Sequence, residues 1–331
     1  MRKFLMGAIC ASSVLLTAAV AQAETTIRVT LQLPKTHSLG QNWLDFAALI
    51  EERSGGELKV QLFDSAQLFK DKEVPEAVGT GAVEAGTAFL GRFTGAVPAV
   101  DVVAIPFIFE DEAHLRTAVA AGSELRTGLD AAILKETNAK VLWWQAFGRN
   151  IYLSNDKAIR VPADMANQKV RTYGKVHGWT VEALGGAPTL MSGSKQFLAY
   201  QQGAVDVGMT GASAVRSRKL YEVMDHVTLS YDSAIEFVAV MNNDFFEGLS
   251  EEHQQIILDS AAIVEDQLRD AIYTQEAEAV AEVSSKMTVV ELTAAERAEW
   301  VSATSGVIDR FVAETSDAGA AAVAAVRAAA K

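Results

Sequence analysis

The sequence predicts an α/β fold of two lobes that are joined by crossing strands and braced by one long helix. Apolar strands alternate with stretches of helical periodicity, which is typical of helices packed on a mainly parallel sheet. A chain of 331 residues suits about two domains, and no repeat or low-complexity linker separates them. Residues 250–285 contain neither glycine nor proline, so one helix is expected to extend beyond a single lobe.

The first half of the chain is predicted to alternate strands and helices. Period-two or continuous apolar runs indicate strands, and helical spacing that ends at turn residues indicates helices. The strands are expected at 26–33, 58–63, 83–89 and 140–144, and the helices at 42–52, 73–79 and, for the most part, 110–137. Residues 34–40 have the composition of a loop, and the apolar segment 102–108 is interrupted at Pro106.

The second half repeats this arrangement and ends in helices. Strands are expected at 149–153, 168–171, 205–209, 226–230 and 237–241, and helices at 174–184, 194–202 and 320–331. Ser250 is a good N-cap for a helix that continues to about Ser285, a length of roughly 50 Å at 1.5 Å per residue. Such a helix could brace two lobes. A capping box at Thr293–Glu296 opens another helix.

The first 23 residues have the three parts of a secretory signal peptide. Arg2 and Lys3 give a positive start, an apolar run follows, and Ala21-Gln22-Ala23 is an A-x-A cleavage pattern. We expect cleavage after Ala23 and no membrane insertion of the mature chain. A retained membrane anchor is the alternative.

Charge and cysteine content exclude several classes of function. Loss of Arg2 and Lys3 takes the formal net charge from −13 to −15, two positive charges fewer. A strongly acidic chain repels nucleic acid and anionic lipid, so no nucleic-acid partner is expected, and any anion site needs locally concentrated positive groups. The only cysteine, Cys10, lies in the signal peptide, which excludes disulfides and thiol catalysis in the mature chain.

Motifs of catalysis and cofactor binding are absent from the sequence. It contains no dinucleotide-binding G-x-G-x-x-G after a strand, no P-loop, no H-x-x-x-H pair and no G-x-S-x-G elbow. The five histidines lie far apart along the chain. We therefore expect no cofactor and no metal site, and we favour a binding protein over an enzyme.

The segment 161–208 contains three short motifs in order. They are Pro162, Asp164 and Lys169-Val170-Arg171, then Ala183-Leu184-Gly185-Gly186-Ala187-Pro188, then Tyr200 to Asp206. These motifs resemble the patterns P-x-D-x-x-G-x-K-[IV]-R, A-L-G-A-x-P and A-L-Q-x-G-x-V-D-G of the extracytoplasmic binding proteins of tripartite ATP-independent periplasmic (TRAP) transporters, DctP type. Segments 51–60, 65–68, 105–109 and 249–254 also resemble the family in order, so the resemblance covers essentially the whole mature chain.

The resemblance implies a periplasmic-binding-protein fold with a ligand cleft between the lobes. Lobe I is expected to comprise residues 24–146 plus about 234–274, and lobe II residues 147–233 plus about 275–331. The protein is expected in the periplasm as a receptor, not an enzyme. Its ligand would be a small organic-acid anion: a carboxylate first, with a sugar acid or a sulfonate as further options. The small and large TRAP membrane subunits would receive that ligand, with no nucleotide. A secreted α/β hydrolase and a sensor for a membrane kinase are the alternatives.

The resemblance assigns the ligand carboxylate to Arg171, since a guanidinium fork matches two carboxylate oxygens. Arg149 stands where many members of the family have a second cleft arginine. The alternative is that Arg149 forms a salt bridge that orients Arg171 or holds the hinge. Gln32 and His37 are expected to hydrogen-bond ligand hydroxyls, or else to stabilise their loop.

Three further residues are candidates for the cleft. Phe89 stands where some relatives carry an acidic ligand contact, and core packing is its alternative. Tyr173 would cover the ligand or pack at the rim. Thr210 stands where sialic-acid-binding relatives have asparagine, and Gly193 where they have a stacking phenylalanine. The changes at positions 89 and 193 indicate a smaller or less polar ligand.

Overall fold

Two β-sheets organise residues 24–330, the part of the chain that the computed structural model describes. The expected signal peptide, residues 1–23, lies outside the described residues. The strands are β1 Thr25–Thr30, β2 Leu58–Phe63, β3 Ala85–Phe89, β4 Ala139–Arg149, β5 Ile151–Ser154, β6 Lys169–Thr172, β7 Ala187–Leu190, β8 Val207–Thr210, β9 His226–Leu229, β10 Ala234–Asn242 and β11 Thr288–Glu291. The first sheet has the order β2-β1-β3-β10-β4, and the second β11-β9-β5-β8-β6-β7.

Helices cover both sheets, together with short 3-10 turns. They are α1 Ser38–Arg53, α2 Val74–Gly79, α3 Glu112–Ala118, α4 Glu124–Thr137, α5 Pro162–Met165, α6 Lys175–Ala183, α7 Gln196–Gln201, α8 Ala212–Ser217, α9 Asn243–Glu247, α10 Glu251–Val283, α11 Ala294–Thr304 and α12 Val307–Ala328. Among residues 24–330, we find no helix with the length and apolar character that crossing a bilayer requires.

The chain passes between the two sheets through adjacent strands. β4 ends at Arg149 and β5 follows after Asn150, while residues 230–233 lead back from β9 to β10. Because an outgoing and a returning strand lie side by side, β10 is antiparallel to β3 and β4, and β5 is antiparallel to β8 and β9. The expectation of mainly parallel sheets therefore fails around β10 in the first sheet and around β5 in the second. The other five strand pairs are parallel.

Two local expectations also differ from the structure. The helix α1 begins at Ser38, inside the expected loop, because the His37 ring accepts a hydrogen bond from the Leu39 amide and caps the helix. The strand expected at 149–153 is divided, since Arg149 still belongs to the first sheet. The first difference comes from a local cap that the composition of the loop does not reveal, and the second from the pairing of Arg149 with Ala234 of β10.

The long helix predicted after Ser250 is confirmed as α10. Its 33 residues begin with the Ser250 side chain as N-cap. Val264 packs beside Trp43 in the core of the first sheet, whereas Ala279 and Val283 pack in the core of the second. One helix therefore braces both halves of the molecule, as the two-lobed fold requires.

Ion pairs with buried carboxylates tie α10 to α4 and to two strands of the first sheet. They are Arg126–Glu265, Arg269–Glu236 and Arg149–Glu276. The Arg269 guanidinium donates to both Glu236 oxygens, at 2.6 and 2.8 Å. Glu236 lies in β10 and is only 1 % exposed. A buried charge is tolerated only when it is paired, so this pair fixes the position of the helix.

The last helix, α12, contacts elements of both halves. Phe311, Val323 and Val326 lie in the core that covers the first sheet, next to a 3-10 helix at Pro98–Ala104. The same helix also touches α6. The lobe boundaries expected from the sequence, with residues 275–331 in lobe II, therefore stay a prediction.

Candidate functional site

A cavity lies between the two sheets and is lined by residues from both. It contains about 330 Å³ of empty space. The wall nearest the first sheet consists of Gln32, Leu33, Asp71, Phe89, Arg92, Phe147, Ile235 and Phe237, and the opposite wall of Arg171, Tyr173, Gly193, Gln196, Thr210 and Arg218. Gln32, Phe89, Tyr173 and Thr210 lie at or just after the carboxyl ends of strands, where α/β sheets commonly bind ligands.

Arg171 is a buried guanidinium that bonds to neutral oxygens. It lies in β6 and is 2 % exposed. Its Nε and Nη2 donate to the Met191 carbonyl at 3.1 and 2.8 Å, and Nη1 donates to the Met209 carbonyl at 2.5 Å. With its oxygen toward the guanidinium, the Gln196 amide accepts from Nη1 at 2.7 Å. Burial lowers the pKa of Arg171 to about 10, so the group stays charged at neutral pH.

Arg218 is a second guanidinium in the cavity. It follows α8 and approaches the first sheet, where its Nη2 lies 3.5 Å from the Gln32 side-chain oxygen. Burial, together with the charge of Arg171, lowers the pKa of Arg218 to about 10. Neither Arg171 nor Arg218 makes an ion pair with a carboxylate anywhere in residues 24–330.

The third arginine of the cavity, Arg92, is neutralised. Its Nε donates to Asp71, and this carboxylate also accepts from the Phe89 amide at 3.0 Å. The cavity therefore holds two positive charges in excess, and both lie on the wall nearest the second sheet.

Aromatic rings form much of the remaining wall. Phe147 stacks on Phe237 with ring centroids 5.0 Å apart, and Phe89 meets Tyr173 edge to face at 5.0 Å. These rings, with Ile235, lower the local dielectric by excluding water, which strengthens any charge interaction inside the cavity. The arrangement is suited to holding an anion, because guanidinium donors meet an apolar enclosure.

Five of the seven residues singled out in the sequence line this cavity: Gln32, Phe89, Arg171, Tyr173 and Thr210. His37 lies behind the wall instead. Its Nε2 is 3.1 Å from the Ser213 hydroxyl and its ring stacks on Phe147 at 4.9 Å. Burial lowers the pKa of His37 to about 3, so the ring is neutral.

Arg149 lies outside the cavity, near the strands that cross between the sheets. It donates from Nε and Nη2 to Glu276, at 2.8 and 2.5 Å, and stacks 3.5 Å from the centroid of the Tyr231 ring. Within residues 24–330, Arg149 thus forms its ion pair with α10. The sequence analysis did not single out Arg218, Arg92, Asp71 or Gln196. The one local indication near Arg218 was Gly193, which stands where the sialic-acid-binding relatives have a phenylalanine.

A buried hydrogen-bond network joins the cavity to the crossing segments. The Tyr173 hydroxyl donates to the Asn150 side chain at 2.9 Å, and Asn150 donates to Asp232 at 2.9 Å. Asp232 also accepts from the Ser230 hydroxyl at 2.7 Å. Burial raises the pKa of the Asp232 carboxyl. Tyr173 therefore contacts both the cavity and the segments where the chain passes between the sheets.

No cluster of three metal-ligating side chains occurs in residues 24–330.

Asp101 is a buried carboxyl near α6, and it predicts a pH dependence of stability. Burial raises the pKa of Asp101 to about 7 from 3.8, although the charges of Lys175 and Arg92 oppose the shift. The folded state thus binds more protons than the unfolded state, and stability falls as pH rises from 3.8 to about 7. We expect Asp101→Asn to raise the melting temperature at pH 8 by a few degrees, roughly 1–2 kcal/mol, with a smaller gain at pH 4.5. Equal gains at both pH values in a calorimetric scan would contradict this.

The comparisons with known proteins agree on one family. The DctP family model, described as bacterial extracellular solute-binding protein, family 7, matches residues 30–315. A solute-binding protein of Verminephrobacter eiseniae is 31% identical over 277 residues, which are 82% of this chain and 81% of the relative. The C4-dicarboxylate-binding periplasmic protein DctP of Rhodobacter capsulatus is 29% identical over 296 residues, 88% of this chain and 86% of the relative.

A solved structure shares the fold over nearly its whole length. It is a TRAP periplasmic solute-binding protein of Sulfurospirillum deleyianum with bound succinate, with a TM-score of 0.86 and 25% identity over 93% of this chain and 99% of that chain. The two-lobed fold expected from the sequence is thereby confirmed, and the hydrolase alternative is set aside, because these relatives are receptors and not enzymes. The chain belongs to the DctP family of bacterial extracellular solute-binding proteins, the substrate receptors of TRAP transporters.

Proposed function

We propose that the mature chain, residues 24–331, is a periplasmic receptor for one small organic-acid anion. The ligand occupies the cavity between the sheets, and its carboxylate bonds to Arg171. A sugar acid or a sulfonate is compatible with the same guanidinium, since each offers oxygens to its fork. The small and large TRAP membrane subunits then receive the ligand.

The observation that carries this proposal is the buried guanidinium of Arg171, which has no carboxylate partner within residues 24–330. A charge removed from water is costly unless a counter-charge reaches it, and a bound anion supplies one. The names of the relatives support the same chemistry: one binds C4-dicarboxylates and another holds succinate. The limited space of the cavity, about 330 Å³ even when the part open to solvent is included, and its aromatic wall favour a small ligand.

Gln32, Thr210 and Tyr173 are proposed as the neutral contacts of the ligand. Gln32 and Thr210 offer hydrogen-bonding groups on opposite walls, and Tyr173 lies beside the guanidinium, with Arg171 Cζ 5.3 Å from its ring centroid. Phe89 is proposed as an apolar contact. His37 and Arg149 would act indirectly, the first by supporting Phe147 and the second by holding α10 through Glu276.

A ligand screen by thermal shift tests the proposal. Protein is recovered from the periplasm, and its intact mass is expected to be that of a chain starting at Glu24, as cleavage after Ala23 requires. This protein is mixed with organic acids, sugar acids, sulfonates and neutral sugars. An anion that binds only the folded state at 100 times its dissociation constant stabilises it by about 2.7 kcal/mol. We expect a melting shift and one-to-one calorimetric binding for at least one acid, with no turnover.

The screen would refute the receptor if neutral sugars bind while every acid fails. Delivery is tested separately, by uptake of the identified acid into vesicles that contain the two membrane subunits. Uptake is expected only when both the receptor and an ion gradient are present. Binding without any receptor-dependent uptake would leave the anion site intact but refute the transport role.

A further inference from the structure

A buried carboxyl, that of Asp101, lies at a contact between the two halves of the molecule. Asp101 belongs to the 3-10 helix beside the core of the first sheet and is 1 % exposed. Gly91, which follows β3 of the first sheet, lies so close that a Cβ atom there would stand 2.6 Å from a carboxyl oxygen of Asp101. On the other side lies Val176 in the first turn of α6, which follows β6 of the second sheet. We call this arrangement, with the halves in contact at Asp101, the closed form.

Neither carboxyl oxygen of Asp101 has a hydrogen-bond partner within residues 24–330. The Thr94 hydroxyl is near, but it donates to the Gly91 carbonyl at 2.7 Å. A carboxylate that is removed from water without a hydrogen bond or a counter-ion is strongly disfavoured. A proton removes that charge, so the closed form favours the neutral acid.

The cations near Asp101 are already engaged by other carboxylates. Arg92 pairs with Asp71. Lys175 of α6 is exposed and has Glu314 of α12 at 3.3 Å. Burial therefore outweighs the charges of Lys175 and Arg92 and raises the pKa of Asp101 to about 7.

The histidine of this contact does not supply a positive charge either. His177 lies in the first turn of α6, and burial, together with the charges of Arg171 and Arg92, lowers its pKa to about 3. Its ring is therefore neutral at the pH values where Asp101 titrates.

The strand β10 and the helix α12 also pack against the 3-10 helix. The one charged residue of β10, Glu236, is held by Arg269. On α12, Arg310 pairs with Glu182 of α6. The remaining charged side chains of α12 are exposed: Asp309, Asp317 and Arg327. None of these groups offers Asp101 a partner of its own.

We propose that the two halves close around a proton at Asp101, so that the closed receptor holds a proton between its halves in addition to its organic anion. In an open form, water reaches the carboxyl and it ionises as an ordinary aspartate does. Closure against α6 removes that water, and the carboxyl takes up a proton between pH 3.8 and about 7. Closure thus becomes less favourable as pH rises through this window. The inference goes beyond the proposed function, because it depends on the contact between the halves and not on the ligand.

Distances between the halves test the inference without a ligand. Residues 24–331 contain no cysteine, so Lys72→Cys and Lys195→Cys provide two sites for spin labels. Both positions are exposed and adjoin residues on opposite walls of the cavity. Pulsed electron paramagnetic resonance then measures the ratio of closed to open molecules. We expect this ratio to fall by at most about tenfold per pH unit up to about pH 7, and to stay constant above it.

Two neutral variants and one matched control assign the proton to Asp101. Asp101→Asn has the shape of the protonated acid, so its ratio should not depend on pH and should exceed that of the wild type at pH 7. Asp101→Ser is a second neutral variant with the same expectation. Asp130→Asn is the control: burial raises the pKa of Asp130 to about 6, but its partners Arg126 and Trp144 both belong to the first half. It should keep the wild-type pH dependence. Circular dichroism establishes that each variant is folded.

The same proton should appear in ligand binding. Succinate, which one structural relative holds, is the probe for calorimetry from pH 5 to pH 8. The ratio of affinities between Asp101→Asn and the wild type cancels the ionisation of succinate itself. We expect this ratio to increase up to about pH 7, by at most about tenfold per pH unit. If succinate does not bind, the distances alone decide.

The inference is overturned if the wild-type distances are the same at about pH 4.5 and pH 7, or if the neutral variants keep the pH dependence. Neither result affects the proposed function, which depends on anion binding at Arg171. Conversely, a protein that closes with protons but binds no organic anion would keep this inference and refute the receptor.

Discussion

Arg171→Met is expected to abolish ligand binding while the protein stays folded. The substitution keeps an unbranched side chain of similar reach but removes every donor, so the ligand carboxylate would face an apolar group. Loss of two charge-assisted hydrogen bonds, at about 1.5–3 kcal/mol each, corresponds to a weakening of more than about 100-fold. Arg171→Lys should be intermediate, because an ammonium keeps the charge but not the planar fork.

Titration calorimetry and ligand-induced melting shifts measure this loss. Lys169→Met is the matched control, since Lys169 lies in the same strand two residues earlier and is exposed. It should bind the ligand with unchanged affinity. Circular dichroism of each unliganded variant establishes that it is folded. Wild-type affinity in folded Arg171→Met would show that the anion is bound elsewhere.

Arg269→Met is expected to cause the largest loss of stability among single changes on α10. It leaves the Glu236 carboxylate buried in β10 without its two guanidinium donors. Removing one partner of a buried ion pair typically costs about 3–5 kcal/mol, whereas replacing both partners by apolar residues is often neutral. The double variant Glu236→Met/Arg269→Met should therefore recover most of the lost stability.

Urea unfolding of the single and double variants measures these differences. Arg116→Met provides the control, because Arg116 on α3 pairs with Asp270 of α10, whose side chain is 70 % exposed. A pair exposed to that degree contributes at most about 1 kcal/mol. If Arg269→Met and Arg116→Met cost the same, the buried pair is not what holds α10 in place.

The sequence was most informative where a signal is local. The Ser250 cap and the uninterrupted apolar spacing behind it predicted α10, and the capping box at Thr293 predicted α11. The motif around Arg171 led to a residue that lines the cavity. In each case a short stretch of chain contains the physical cause, whether a cap, a periodicity or a strand end.

Features that depend on contacts between distant segments of the chain could not be predicted from the sequence. Arg149 and Arg218 look alike as residues, yet Arg149 turns to Glu276 on α10 whereas Arg218 enters the cavity. Arg218 can enter the cavity because the glycine at position 193 leaves room for its guanidinium. The antiparallel strand pairs of both sheets likewise follow from the return of the chain through residues 230–233, which a local sequence pattern cannot indicate.

The helix α10 sets a mechanical limit on how the two halves can move. Val264 is embedded in one core and Ala279 in the other, roughly 22 Å apart at 1.5 Å per residue. An unbroken helix between two fixed ends behaves as a stiff beam, so the halves cannot swing freely about their connecting strands. Separating the two halves must bend this helix, and the bent helix resists. We therefore expect an opening of the cavity that is small in amplitude and opposed by an elastic force from the protein itself.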